Sequence, residues 1–155
     1  MKVVSYSDLY SSIIRFCTLL GGEISQRSGK SIEFVYFDAI GDEGTLPDGD
    51  LLGFSDLTVL NKSEGIGFQV EVMLVMSVTE DTNLMRLETV MADTVCSFTK
   101  EEAVIVVYHM NPDQTLTPTA NLVFTGDRLI SPPSRDGSRT FKAFRCNLLC
   151  DKGLA

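Results

Sequence analysis

This chain of 155 residues lacks the sequence features that would assign a chemical reaction. Its one histidine, His109, has no serine or cysteine beside it in a nucleophile elbow, which argues against nucleophilic catalysis. The Gly-Lys-Ser/Thr end of a phosphate-binding loop is missing, and the GIG segment at 65–67 precedes a strand pattern, whereas a dinucleotide-binding turn follows one. We therefore expect no enzymatic activity, no catalytic residue and no cofactor.

Long apolar runs and metal-ligand spacings are also missing. No run approaches the roughly 18 apolar residues that a membrane-spanning helix needs. The opening MKVVSYSDLY has no apolar segment of the kind that secretory signals carry. No Cys-x-x-Cys pair is present, and the acidic residues of 38–50 do not follow the spacing of a calcium-binding loop. We expect no membrane partner, no metal site and synthesis in the cytosol.

The four cysteines do not suggest a disulfide framework. Cys146 and Cys150 are four residues apart in a strand pattern, which places them about 13 Å apart. A disulfide needs Cα atoms closer than about 7 Å. Cys17 and Cys96 lie among apolar residues of two helical patterns. The cysteines are therefore predicted to be small, buried, free thiols.

Charge is present but unevenly distributed, and the net charge is −8. Residues 1–102 contain 17 acids and 7 bases, whereas residues 103–155 contain 4 acids and 6 bases. An acidic chain is poorly suited to wrapping nucleic acid, because phosphate contacts need clustered Lys and Arg. The unlike halves instead favour pairing of one copy of the chain with another.

The first half of the chain predicts one helix followed by strands. SYSDLYSSIIRFCTLLGG has apolar residues at helical spacing and a stop at Gly21–Gly22, with a polar turn after it. SIEFVYFDA and LLGFSDLTVLNK predict strands, the second one bent or bulged near Gly53. Between them, DAIGDEGTLPDGD predicts a flexible acidic loop.

A long strand over 67–78 and a helix over about 81–97 are predicted next, joined by the polar corner TEDTN. One strand face is apolar: Phe68, Val70, Val72, Leu74 and Met76. The helix has an apolar stripe: Leu84, Leu87, Met91, Val95 and Phe98. We favour the core as the place of this stripe over a groove for a partner.

The remaining residues predict three strands and two loops. The strands are EEAVIVVYHM, TANLVFTGDRLI with a closing Gly-Asp turn, and TFKAFRCNLLC; the loops are NPDQTLTP and SPPSRDGSR. The order α β β β α β β β with short links predicts a single α+β domain over 1–155. It has a mainly antiparallel sheet and two helices packed on one face.

Two segments of opposite charge are the candidate functional residues. The acidic loop contributes Asp42, Glu43, Asp48 and Asp50, and the basic segment contributes Arg128, Arg135 and Arg139. The basic segment has no interleaved aromatic residues, which disfavours nucleic-acid binding. We predict that both segments lie at or near subunit or partner contacts, because opposite charges set the register and rate of association.

The helix LYSSIIRFCTLL, the long strand GFQVEVMLVMSV leading into the helix NLMRLETVMADTV, and the final strand TFKAFRCNLLC follow one another in this chain. In this plan the chain resembles the tail terminator proteins of long-tailed bacteriophages, which are tail completion or head-tail joining proteins. The resemblance covers nearly the whole chain and rests on the plan without a short motif. No functional residue is therefore transferred from the family.

The resemblance implies a structural virion protein that forms a hexameric ring on the tail tube. Such a ring stops tube polymerisation and offers a docking surface to the head connector. The implied partners are further copies of the chain, the tail tube protein and the connector, or neck, protein. DNA would pass through the ring without specific binding. The ring would assemble in the host cytoplasm and then belong to the virion tail.

Two alternatives remain open at this point. One is a small cytosolic module that binds a ligand or a protein on its sheet face. The other is a different phage neck or tail-tube protein of related fold.

Overall fold

Strands contain more than half of the residues that a computed structural model of the protein describes, which are 3–36, 47–60, 67–79, 85–99 and 105–155. The elements in chain order are β1 (Val3–Val4), α1 (Tyr6–Ser28), β2 (Ile32–Tyr36), β3 (Asp50–Leu60), β4 (Phe68–Thr79), α2 (Met85–Phe98), β5 (Ile105–Met110), β6 (Leu116–Ile130), β7 (Ser134–Asp136), β8 (Arg139–Cys150) and β9 (Gly153–Leu154).

The main sheet has the strand order β2-β3-β4-β8-β6-β5, and β7 pairs with β8 as well. Its pairings are antiparallel apart from β2–β3, which are parallel with Ile32 opposite Asp50. A separate parallel pair joins β1 to β9. The predicted α+β class with a mainly antiparallel sheet is confirmed. The two parallel pairs and the short strands β1, β7 and β9 were not predicted.

Helix α1 packs against both β2 and β5, which are the two edge strands of the main sheet. The sheet therefore curls around this helix. Two serines of α1 bond the edge backbones: Tyr108 N–H donates to Ser12 Oγ at 2.9 Å, and Ile32 N–H donates to Ser25 Oγ at 2.8 Å. Because unpaired strand edges are templates for pairing with other chains, α1 protects the sheet at both ends.

The core lies between the concave face of the sheet and the two helices. Alternation along β4 turns Phe68, Val70, Val72, Leu74 and Met76 inward, and none is more than 2% exposed. From α2, Leu87 and Met91 are equally buried. Phe98 contacts Phe16 of α1 and Phe144 of β8, with ring centroids 5.1 and 5.8 Å apart. The predicted apolar faces of β4 and α2 are confirmed for these residues; Leu84 lies outside the described residues.

Helix α1 is longer than predicted. Its N-cap is Ser5, whose side chain accepts the Asp8 N–H at 3.1 Å, and it ends at Gly29, where φ is +70°. The predicted stop at Gly21–Gly22 is wrong, as is the polar turn after it. A glycine inside a helix costs about 1 kcal/mol relative to alanine. Leu20 and Ile24 continue the buried stripe across the glycines, and this burial outweighs that cost.

Strand β6 continues through the predicted Gly126–Asp127 turn. Its register with β8 shifts between Phe124 and Arg128, and Gly126 has φ +101°. A bulge accommodates the extra residues, so the glycine interrupts the ladder without ending the strand. The predicted irregularity near Gly53 is present as a register shift between Phe54 and Asp56.

The two predicted loops near β6 are shorter than expected. The first is limited to residues 111–115, and the second contains β7. Most of the predicted acidic loop lies outside the described residues. Neither of the two described helices is long and apolar enough to cross a membrane.

All four cysteines are free, and Cys17, Cys146 and Cys150 are buried as predicted. Cys96 is exposed, so the prediction of a buried thiol is wrong at this position. It occupies the solvent side of the amphipathic helix α2, next to the half-buried Val95.

Candidate interface

The basic residues singled out by the sequence converge on one hairpin. The end of β6, β7 and the first part of β8 form a continuous hairpin over residues 128–145, here called the basic hairpin. It contains five bases and one acid, whereas the rest of the chain contains 8 bases and 20 acids. The hairpin therefore has a net positive charge, whereas the rest of the chain has a net negative charge.

Three local features hold this hairpin together across Pro132 and Pro133, which have no N–H to donate. The Ser131 N–H donates to Ala143 O at 2.9 Å, and the Ala143 N–H donates to Ser131 Oγ at 2.8 Å. Gly137, with φ +60°, opens a two-residue turn between the paired Asp136 and Arg139. The segment that was predicted to be a loop is therefore a bonded strand pair.

Arg139 lies at the base of the hairpin and points into the molecule. Its guanidinium donates to Gly49 O at 3.0 Å, to Ser77 Oγ at 3.2 Å and to Pro47 O. The structure thus brings Arg139 next to the end of the acidic loop, where Asp48 and Asp50 lie. The contacts go to backbone carbonyls rather than to these carboxylates. Arg139 therefore ties the basic hairpin to residues 47–49 within one copy.

Asp50 is only 8% exposed and is bound inside the protein. Arg86 of α2 donates two hydrogen bonds to its carboxylate, at 2.9 and 3.0 Å, and also donates to Thr79 O. A two-point arginine–carboxylate pair fixes geometry as well as charge. This pair joins the start of β3 to α2 and to the end of β4. Sequence reasoning missed it because the partners are 36 residues apart and leave no local pattern.

The other predicted contact residues have different positions. Asp48, Arg128 and Arg135 are exposed. Asp42 and Glu43 lie outside the described residues. Among the residues that the structure describes, neither Arg128 nor Arg135 forms an ion pair. These exposed residues keep their charges available, so the predicted contacts rest on them rather than on Asp50 and Arg139.

The bulge in β6 opens a shallow recess of about 150 Å³ on the outer face of the sheet. Its lining mixes both signs of charge: Glu71, Asp127, Arg128, Leu129, Arg145, Cys146 and Asn147. Arg145 Nε is 3.4 Å from Glu71 Oε1. Asn147 Oδ1 is buried and has no hydrogen-bond partner among the described residues, which is rare for a buried polar atom. The recess can therefore accept a hydrogen bond from an N–H or O–H group.

The Cys146 thiol in this recess is a poor nucleophile near pH 7. Burial, with the Glu71 carboxylate nearby, raises the pKa of Cys146 to about 12. The thiolate is the nucleophilic form, so Cys146 stays a neutral thiol near pH 7. Nucleophilic chemistry at this position is not favoured.

His109 has a partner that the sequence did not reveal. Its Nδ1 is 2.9 Å from Asp8 Oδ2, which connects β5 with the first turn of α1. The two residues are 101 positions apart, so no local signal indicates the pair. Within the described part of the chain, no three His, Cys, Asp or Glu side chains are placed to hold a metal ion.

Comparisons with known proteins bear on the fold. No protein-family model matches the chain, and no curated protein is similar to it. Solved structures include 11 matching chains. One of them, which has no functional name, superposes with a TM-score of 0.54 at 7% identity, over 93% of this chain and 94% of that chain. At this identity the likeness shows the fold alone.

Proposed function

We propose that this protein is a structural ring protein of the bacteriophage tail terminator type. In this role it caps the tail tube, stops tube polymerisation and presents a docking surface to the head connector. The observation that carries the proposal is the basic hairpin, in which Arg128 and Arg135 are exposed on an acidic molecule. The plan of the whole chain, with its two helices and long central strand, supports the same assignment by resemblance.

A closed ring needs heterologous contacts, in which one patch meets a different patch on the next copy. The basic hairpin supplies a patch whose charge is opposite to that of most of the surface. Exposed ion pairs are individually weak, at about 0–1 kcal/mol each. Repeated around a ring, they set register and association rate. Salt screens such contacts, so assembly is expected to weaken as ionic strength rises.

Sedimentation of the wild type and of Arg128→Glu/Arg135→Glu, at low and high salt, tests this proposal. The wild type should sediment as a ring of six 17.0 kDa copies at low salt. At the same salt concentration the variant should sediment as a smaller species, and its circular dichroism spectrum should be unchanged. Both arginines are exposed, so their reversal leaves the fold intact.

The matched control is Lys30→Glu/Lys152→Glu, which reverses the same number of charges outside the hairpin. It should assemble like the wild type. A wild type that remains a salt-indifferent monomer, even with tail tubes present, would remove the support for a terminator.

A small binding module is the second candidate function. The recess on the outer sheet face favours it, because the buried oxygen of Asn147 lacks a hydrogen-bond donor there. A protein that is monomeric at every concentration and salt tested would favour this candidate over the ring.

A further inference from the structure

A groove runs along the outside of the molecule between α1 and β5. Two adjoining recesses of about 170 and 260 Å³ share Ser12, Arg15 and Tyr108. The remaining lining is mostly apolar and includes Phe16, Leu19, Val106, Met110 and Leu116. Leu19 is 58% exposed and Met110 is 62% exposed. These residues are called the α1–β5 groove below.

The composition of this groove is that of an interface. Arg15 is exposed and is the one charged side chain among the described lining residues. It forms no ion pair with any residue that the structure describes. Aromatic residues, Met and Arg are enriched in protein interfaces, whereas Asp and Glu are depleted. Among the described residues the groove has no carboxylate, and on a chain of net charge −8 this favours an occupant that is apolar with one acidic group.

The end of β6 has this complementary composition. Leu129 is 62% exposed and Ile130 is 38% exposed. Asp127 is exposed nearby in the bulge, and it shares the lining of the outer recess with Leu129. Within the described ranges Asp127 has no ion-pair partner. An apolar side chain beside an exposed carboxylate matches an apolar groove that has one exposed arginine.

The groove and the end of β6 are too far apart to meet within one copy. Leu116 lines the groove at the beginning of β6, and Leu129 lies near the end of the same strand. At about 3.3 Å per residue the strand between them spans roughly 40 Å. A contact between two such patches must join different copies, and unlike patches in contact close into a ring or extend into a filament.

We infer that the α1–β5 groove of one copy receives Leu129 and Asp127 of a second copy, with Arg15 paired to Asp127. This inference rests on the proposed self-assembly and identifies the surfaces that carry it. The second copy is the occupant because its own β6 end supplies both the apolar side chain and the opposite charge. The basic hairpin contributes Leu129 to this contact, and its Arg128 and Arg135 act on the acidic surface around it.

A charge swap tests the Arg15–Asp127 pair in the assembled protein. Arg15→Asp and Asp127→Arg should each raise the concentration needed for assembly about tenfold, which corresponds to roughly 1.4 kcal/mol. The double variant Arg15→Asp/Asp127→Arg should return to the wild-type value, because the pair is restored with its signs exchanged. Additive losses in the double variant would overturn the pairing.

Two apolar variants test the surfaces independently. Leu19→Asp/Met110→Asp blocks the groove, Leu129→Asp blocks the β6 end, and each should abolish ring formation. When the two variants are mixed, they should form only dimers that contain one copy of each variant, since each variant keeps the surface that the other lacks. Met85→Asp is the control, because Met85 is 69% exposed on α2, outside both surfaces.

The outcomes separate this inference from the proposed function. A wild-type ring whose groove and β6 variants still assemble would overturn the inference and leave the ring proposal standing. A wild type that never assembles would overturn both. Mixed variants that show no pairing even far above the concentration at which the wild-type ring forms would also overturn the contact, because a single contact binds more weakly than a closed ring.

Discussion

The arginines of this protein differ in how they are bonded. Arg86 and Arg139 are bonded within the fold, to Asp50 and Thr79 O and to the backbone at 47–49 respectively. Arg15, Arg128 and Arg135 are exposed and have no ion-pair partner among the described residues. The bonded arginines stabilise the fold, whereas the exposed ones are available for contacts with another molecule. Substitution of the first should change the free energy of unfolding, and substitution of the second should change assembly.

Substituting Arg139 should lower stability, whereas substituting Arg135 should not. Arg139→Met removes charged hydrogen bonds to Gly49 O and Ser77 Oγ, each worth about 1.5–3 kcal/mol. Arg135→Met, at an exposed position of the same hairpin, should stay within about 0.5 kcal/mol of the wild type. Urea unfolding measured under conditions that keep the protein monomeric gives both values. Equal losses at the two positions would contradict the buried role of Arg139.

The four thiols should react at very different rates. Burial raises the pKa of Cys17, Cys146 and Cys150, so each forms less thiolate at pH 8 than an ordinary thiol does. Cys96 is exposed on α2. Titration of the native protein with a thiol reagent at pH 8 should modify Cys96 quickly and the other three only after unfolding.

The Cys96→Ser variant is the control for this titration, because it should lose the fast phase and keep the slow one. A fast phase that remains in Cys96→Ser would show that a buried thiol is accessible.

At the scale of elements, α1 connects parts of the sheet that are far apart in the chain. It lies along the gap between β2 and β5, and its serines satisfy one backbone N–H on each edge. The sheet therefore closes through a helix instead of through a strand pair. Helix α1 is 23 residues long and continues past Gly21 and Gly22. It therefore includes both Ser12 and Ser25, which bond the two edges.

Removing the two serine hydroxyls should loosen this closure. Ser12→Ala and Ser25→Ala leave the N–H groups of Tyr108 and Ile32 unpaired, at a cost of about 1–3 kcal/mol each. The losses should add, because distant sites act independently. Thermal or urea unfolding of the single and double variants measures them.

Ser11→Ala is the matched control, because Ser11 is exposed on the same helix and bonds only within it. Alanine is a better helix former than serine, so this variant should be as stable as the wild type. A similar loss of stability in Ser11→Ala would mean that the hydrogen bonds of Ser12 and Ser25 with the edge strands stabilise the fold no more than a serine bond within the helix does.

Periodic apolar patterns predicted the elements that local packing decides. The alternation in β4 and the stripe of α2 correctly placed every second residue from Phe68 to Met76, and Leu87 and Met91, in the core. Gly21–Gly22 and Gly126–Asp127 carried local stop signals that tertiary contacts override. The α1 stripe continues past the first pair, and β8 pairs on both sides of the second.

The candidate interface was less predictable, because its geometry depends on residues distant in the chain. Composition indicated the exposed charges of Arg128 and Arg135. It did not separate them from Arg139, whose carbonyl partners lie 90 and 92 residues away. The α1–β5 groove was not predicted at all, since Arg15 and Met110 belong to elements that no local pattern brings together.

At the scale of the whole molecule, one cationic hairpin is attached to a body that is strongly acidic. If copies assemble into the proposed ring, that ring has a large negative net charge, which repels nucleic acid over about 8–10 Å at moderate salt. Proteins that hold DNA need clustered bases to displace counterions. A ring with this composition suits a passage through which DNA moves without adhering.

Duplex DNA should therefore not bind to the assembled protein. The fluorescence anisotropy of a labelled duplex should stay unchanged when protein is added at about 150 mM salt, since the Debye length there is about 8 Å. Arg128→Glu/Arg135→Glu should give the same flat result. If the wild type binds the duplex and this variant does not, the basic hairpin is a phosphate-binding site. That result would contradict the prediction that DNA passes through the ring without binding.

The closure of the sheet by α1 also sets the order of events during synthesis. Ser12 and Tyr108 are 96 residues apart. Translation at about 5–20 residues per second leaves roughly 5–20 s between their emergence from the ribosome. In that interval α1 can dock on the nearby β2, while its face for β5 has no partner yet. Contacts of such long sequence separation slow folding, so joining β5 to α1 is expected to be the late step by which the nascent chain reaches its native state.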